Sequence, residues 1–377
     1  MFLSLYLLWG EPYYLQRMVK LMLDLITAGC KSGGVFDNTI IIQDIIDRSE
    51  ETVFSLPAGR FKVGGSIQIN RRGIKFVGNN YGRVEDNATI IEHYGNGPLF
   101  QLGDQGTSYF GGQQGFKLDS ITLINKSGET GTLYNPYSAS ISRDKYGANS
   151  YAIKDWRGGG IVLTNVQVER FDTAVWGTQS DINRFTNLNL FYNSKGLVFD
   201  YGSDQLVIDG LYTIGNDVAV SLYGSNGARF NDCQFVKDGS KDHSPISLDY
   251  CNSARFAGCW FEGLNTGMGP VPSFVELGAT AECRGVTFRD NVLAIPNKSS
   301  AGDSVCDYFV EIIRAKNVLI DEMNGFPKNL KKILLFNGNS QVQQATVMAH
   351  IDYSYPDGKI YDQTGTGAAK LTFTNRY

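Results

Sequence analysis

The chain has 377 residues, enough for one large domain or two medium ones with a sizeable core. Charged residues make up 19% and the formal net charge is -4, so there is no basic footprint for a nucleic acid partner. The 43 glycines and an aromatic share of 12% fit short strands joined by tight turns, with rings available for packing and carbohydrate contact.

Residues 1–9 are apolar and stop at Gly10-Glu11-Pro12. A signal peptide, the alternative reading, needs a basic start and a small-residue cleavage site, neither of which is clear here, and the stretch is too short to cross a bilayer. The expectation is an apolar piece packed on the body or on a neighbouring subunit, with no membrane insertion. Residues 13–29 carry helical spacing, with Leu15, Met18, Leu21, Met22 and Ile26 on one face. Lys31-Ser32-Gly33-Gly34 breaks that pattern, giving an N-terminal helical segment over 1–33. A second helix is expected from Thr39 to Arg48, capped by Asp37 or Asn38, with Ile42, Ile45 and Ile46 covering the open end of the strand-rich body.

Strands begin at Val53-Phe54-Ser55-Leu56, turn at Pro57-Ala58-Gly59, and continue through Phe61-Lys62-Val63, Ile67-Gln68-Ile69, Ile74-Lys75-Phe76 and Ile90-Ile91. Between Asn125 and Ser150 a Ser-, Gly-, Tyr- and Asn-rich stretch reads as a long loop, where Tyr134, Tyr137 and Tyr146 are candidates for one wall of a binding site. From about residue 160 one pattern recurs: an apolar anchor followed by apolar or small residues at +3 and +5. It reads Leu163-Val166-Val168, Phe185-Leu188-Leu190, Ile208-Leu211-Thr213, Phe230-Cys233-Phe235, Phe256-Cys259-Phe261, Cys283-Val286-Phe288 and Ile320-Met323-Gly325. Leu118, Ile121 and Leu123 anticipate it. Self-similarity at roughly 20 to 50 residues is the mark of a repeat architecture, and these units are too short for helical pairs. Each reads as one coil of a parallel β-helix spanning 34–340, with a C-terminal β-region over 341–377.

The six cysteines show no paired spacing for a disulfide framework; Cys233, Cys259 and Cys283 fall on inward slots as small hydrophobes. There is no CxxC, and His93, His243 and His350 are scattered. No metal or other cofactor is expected.

The stretch Gly34-Val35-Phe36-Asp37-Asn38-Thr39, with Ile42, Gln43, Ile46 and Asp47, followed by Leu56-Pro57-Ala58-Gly59-Arg60-Phe61, resembles the opening of the pectate-lyase-like superfamily of right-handed parallel β-helices. Cys259-Trp260-Phe261-Glu262-Gly263 resembles coils of its phage tailspike and capsule-depolymerase branch. The usual acidic Gly-Asp-Gly is replaced by Lys31-Ser32-Gly33-Gly34, and the polygalacturonase and calcium-dependent pectate-lyase sets are absent. The resemblance covers about residues 33–335. It implies an all-β solenoid and a homotrimer on a virion tail that binds and cleaves a bacterial surface polysaccharide. A secreted polysaccharide lyase and a non-catalytic receptor-binding or structural fibre are the alternatives.

Equivalent residues of successive coils lie about 4.8 Å apart, and alternate residues face outward. One outward stripe is expected to hold Asp200, Tyr223, Asp249, Glu276 and Glu311. Glycoside hydrolysis needs two carboxyl groups, and Asp249 with Glu276 is the close pair, Asp200 with Asp249 the distant one. The bland account of the stripe is a solvated acidic face. A second face is expected to carry Tyr212 and Trp260, which can stack on sugar rings, and to set Glu262 one coil from Arg289. A surface ion pair is the bland account of the latter two. The resemblance makes Glu262 an alternative catalytic acid. The apolar run Phe191, Ile214 and Val236 points to burial against another subunit. His243 overhangs the acidic stripe, as a substrate contact or as the base of a lyase-type elimination.

Overall fold

The computed structural model describes residues 22–82, 87–103, 115–127, 149–239, 243–264, 273–294, 306–321, 330, 332–338, 343–349 and 360–375. The strands of this all-β chain form two long sheets and one two-stranded sheet in which every pairing is parallel, and Thr39–Arg48 is the one helix among the described residues. The fold is a right-handed parallel β-helix, as the repeat predicts.

Each middle coil has three strands. One belongs to an 11-stranded sheet that includes Tyr151–Trp156, Thr173–Thr178, Lys195–Asp200, Val218–Tyr223, Ile246–Asp249, Ser273–Leu277 and Tyr308–Ile312. The second holds the anchors, as in Arg229–Asn231 and Arg255–Ala257, and the third comes directly after it, as in Gln234–Asp238 and Trp260–Leu264.

The corners explain the odd spacing of the repeat. A strict strand would bury every second residue, yet the anchors are followed by buried positions at +3 and +5. At +2 the backbone is left-handed: Asn165, Asn187, Gly210, Asp232, Gly258 and Asp290 all have φ between 51° and 72°. This single residue turns the chain between two strands and shifts the inward parity by one. Gly, Asn and Asp tolerate that conformation best. A second left-handed column, at -3, includes Gly227, Ser253, Gly285 and Asn317.

The anchors build the core. Phe230 and Phe256 stack with ring centroids 4.5 Å apart, and Phe256 stacks on Phe288 at 5.1 Å. Phe288, not Cys283, is therefore the anchor after Phe256, and it pairs in register with both Phe256 and Ile320. Its +3 slot is Asn291, a buried polar residue that accepts from the Cys259 amide and donates to the Phe256 carbonyl. Cys283 instead stacks with Cys251 at the neighbouring corner; all six cysteines are free and buried.

The cap carries the Asp-x-Thr and Gln motif. Asp37 accepts from the Thr39 amide and from Gly64, while Gln43 bonds both backbone groups of Gln68. The helix is thereby tied to the first coil with Ile42 and Ile46 buried against it. Asn38 holds the preceding turn instead, bonding to Lys31 and Phe36. The expected helix over 13–29 is corrected where it is described. Leu23–Asp24 is a strand paired with Phe54 and Ser55, and Asp24 accepts from Ile26 and Thr27 in the adjoining turn. Residues 1–21 and the loop with Tyr134, Tyr137 and Tyr146 lie outside the described residues. Beyond residue 340, Gln343–Ala349 and Ala369–Asn375 pair onward from Val318–Asp321, so the same sheet order continues.

Candidate active site on the eleven-stranded face

The outer face of the 11-stranded sheet presents two adjacent columns two residues apart. The first runs Lys154, Trp176, Val198, Ser221, Ser247, Glu276 and Glu311. The second contains Trp156, Thr178 and Asp200, then Tyr223 and Asp249. The predicted stripe is thus two stripes. Glu276 pairs in register with Ser247 and with Glu311, so Asp249, two residues along from Ser247, is a diagonal neighbour whose charge reaches Glu276 and not its in-register partner.

Asp249 is also already engaged. It is 8% exposed, and its carboxylate accepts from the amides of Thr280 (3.0 Å) and Ala281 (2.7 Å) and from the Thr280 hydroxyl. It closes the turn after the next coil's strand, a structural task. Asp200 accepts from the Trp176 indole N–H at 3.1 Å, and burial pushes its carboxyl above the usual range. It orients a ring and lies two coils from Asp249.

The carboxylates that the fold sets directly in register are Glu276 and Glu311. Glu311, 5% exposed, accepts from Asn337 Nδ2 at 2.7 Å and from the Ser273 hydroxyl at 3.3 Å, and Ser273 shares a 2.9 Å hydrogen bond with Ser244. Glu276 is partly exposed and accepts from Ser247 at 3.3 Å. Burial, then the neighbouring Glu311 charge and, more weakly, the Asp249 charge raise its pKa, against the Ser247 hydrogen bond and the charge of His243. His243 is exposed and near this pair. Such a raised carboxyl beside an anchored carboxylate is the arrangement that divides acid from nucleophile.

Aromatic rings flank the pair along the same face. Tyr223 lies between Tyr201 and Tyr250, with centroids at 5.2 and 6.3 Å. Tyr201 and Tyr250 adopt left-handed backbone at the strand ends, which leaves their rings exposed.

The remaining predicted residues lie elsewhere. Trp260, 40% exposed, donates its indole N–H to Glu262 at 3.0 Å on the third strand of its coil. Tyr212, two coils before Trp260 on that same face, packs edge-on against Phe191 of the preceding coil. Glu262 aligns with Val236 and Ala294, not with Arg289. Arg289 aligns with Ala257 and Asp321, and its guanidinium lies 3.4 Å from Asp290 and 3.9 Å from Asp321. The misplaced anchor caused this misalignment. Glu311 stood in the predicted stripe but outside the predicted pair, and Tyr151, Lys154, Trp156 and Trp176 were missed. Extending the outward columns toward the N-terminus would have found Lys154, Trp156 and Trp176; Tyr151, at the start of its strand in register with Thr173, lies outside both columns. Among the described residues no cluster of metal-binding side chains occurs.

No protein-family model matches the chain, and no curated protein matches it in sequence. Solved structures do match. A DFA-IIIase from Arthrobacter chlorophenolicus A6, in complex with GF2, is 10% identical with a TM-score of 0.63, over 94% of this chain and 94% of that one. The gp42 tailspike of Acinetobacter phage vb_AbaP_AS12 is 12% identical with a TM-score of 0.59, over 95% of this chain. The tailspike of Acinetobacter baumannii phage AM24 is 13% identical with a TM-score of 0.52, again over 95%. This chain spans 63% and 55% of those two tailspikes. The likeness is one of fold.

Proposed function

We propose that the chain is a tailspike-like depolymerase that binds a bacterial surface polysaccharide along the 11-stranded face and hydrolyses it with Glu276 and Glu311. The observation that carries this reading is the in-register pair, with Glu276 raised by burial and by Glu311. Neighbouring parallel strands are about 4.8 Å apart, which matches the roughly 5–5.5 Å carboxyl separation of retaining glycosidases. Glu276 then protonates the leaving glycosidic oxygen. Glu311, its charge supported by donors from Asn337 and Ser273, attacks the anomeric carbon. Water, deprotonated by Glu276, releases the glycosyl group. The Tyr201–Tyr223–Tyr250 ladder offers stacking surfaces for neighbouring sugars. Action outside the cell as part of a virion tail, and assembly as a homotrimer, belong to the same reading and draw on the tailspike likeness in fold.

The test is reducing-end release from a panel of capsule, O-antigen and exopolysaccharide preparations. Glu276→Gln and Glu311→Gln should each lower the rate at least about a hundredfold, with the anomeric configuration of the wild-type product retained. Cleavage that survives both substitutions removes this pair from the mechanism. A product absorbing in the ultraviolet identifies elimination instead. Binding by the wild type with no cleavage of any polymer supports the fibre reading, for which the tyrosine ladder alone suffices.

A further inference from the structure

On the same face but far from the carboxylate pair, Lys154 lies inside a ring of aromatic side chains. Its ammonium is 4.5 Å from the Tyr151 ring centroid and 5.5 Å from those of Trp156 and Trp176. Trp156 and Trp176 meet edge to face at 4.6 Å, and Tyr151 meets Trp176 at 6.4 Å. Asp200 fixes the Trp176 indole from the next coil, so the rings are held before any ligand arrives. All four side chains stand on outward positions of two adjacent strands and are partly exposed. Lys154 makes no ion pair among the described residues, although burial lowers its pKa. Of the nearby carboxylates, Asp200 is committed to the indole and the buried Asp155 to the amides of Gly158 and Gly159, while Asp172 lies on the Tyr151 side, where burial and then its charge raise the phenol pKa.

An isolated, half-desolvated cation framed by rings lacks only an anion with an apolar face. We propose that Tyr151, Lys154, Trp156 and Trp176 form an accessory glycan subsite for a uronic acid residue, whose carboxylate meets the Lys154 ammonium while its pyranose face stacks on an indole. The proposal rests on the face being a glycan groove and adds to it the class of sugar. Five strand steps separate Lys154 from Glu276 in their shared column, about 24 Å. That exceeds the roughly 8 Å screening length in physiological salt, so an acidic sugar bound here is not repelled by the Glu276–Glu311 pair. The subsite grips the polymer several sugars from the cleaved bond.

Affinity electrophoresis through gels containing polygalacturonate, alginate or hyaluronan, with dextran and pullulan as neutral controls, tests this on the full chain carrying Glu276→Gln and Glu311→Gln. At least one acidic polymer should retard the protein and shift its tryptophan fluorescence, and salt should weaken the effect. Adding Lys154→Met, which keeps the apolar stem, should reduce that affinity about tenfold and flatten its salt dependence. Trp176→Ala should weaken retardation with no such change in salt dependence. Retardation unaffected by Lys154→Met, equal retardation by neutral polymers, or no retardation by any acidic polymer overturns the proposal. Failure of the hydrolase reading is a separate result: acidic polymers then retard the protein through Lys154 while the wild type cleaves nothing.

Discussion

Glu276 and Glu311 stand side by side because parallel strands stack equivalent residues, and two carboxylates that close do not ionise independently. Since burial and Glu311 raise the Glu276 pKa, cleavage should fall as pH rises through that raised value, which the pH profile of reducing-end release measures. The same shift bears on stability. The folded state binds the Glu276 proton more tightly than the unfolded state, so stability declines as pH rises from about 4.3 to the raised value. Glu276→Gln should abolish cleavage and flatten that decline, which thermal unfolding at a series of pH values measures. Asp249 should behave in the opposite way. Asp249→Ala leaves the Thr280 and Ala281 amides without their acceptor and should cost about 1–3 kcal/mol of stability. The cleavage rate per folded molecule should stay close to wild type; a catalytic defect without loss of stability would return Asp249 to the mechanism.

At the scale of the coil, stability comes from ladders. Phe230, Phe256 and Phe288 form a continuous stack, and Phe256→Ala should cost about 3–5 kcal/mol, visible in denaturant unfolding. A polar ladder runs beside it: Asn193 accepts from the Phe171 amide, Asn216 from the Asn193 amide, and Asp238 from the Asn216 amide. Asn216 Nδ2 also donates to the Leu190 carbonyl. Asn216→Leu has nearly the same volume but strands these buried groups. It should destabilise the fold by at least about 1–3 kcal/mol, and an unchanged midpoint would show that water substitutes. These ladders also explain why the repeat was hard to place. Asn291 is a polar residue on an inward slot, which a search for apolar spacing passes over.

For the whole molecule, the parallel solenoid puts the tyrosine ladder, the carboxylate pair and the aromatic ring around Lys154 on one uninterrupted face. The trimer that accompanies the proposed function predicts a light-scattering mass three times the 41.6 kDa of the chain, and a monomeric mass at micromolar concentration would exclude it. Phe191, Ile214 and Val236 do align in one column, as the sequence predicts, and that column continues into Glu262.

Much was legible in the residues alone. Repeated anchors implied coils, and Asp37, Thr39 and Gln43 implied the capping helix. These are local properties, written in spacing and turn chemistry within one coil. The register between coils was different. Cys283-Gly285-Val286-Phe288 and Phe288-Asp290-Asn291-Leu293 both offer an inward residue, a left-handed corner at +2, and buried positions at +3 and +5. A single chain's pattern fits either, and the choice moves the outward side chains of that coil, Arg289 among them, to another place. Only the tertiary structure decided it, because the stacking of Phe288 between Phe256 and Ile320 depends on partners a whole coil away. The same non-local pairing set Glu276 against Glu311 rather than Asp249.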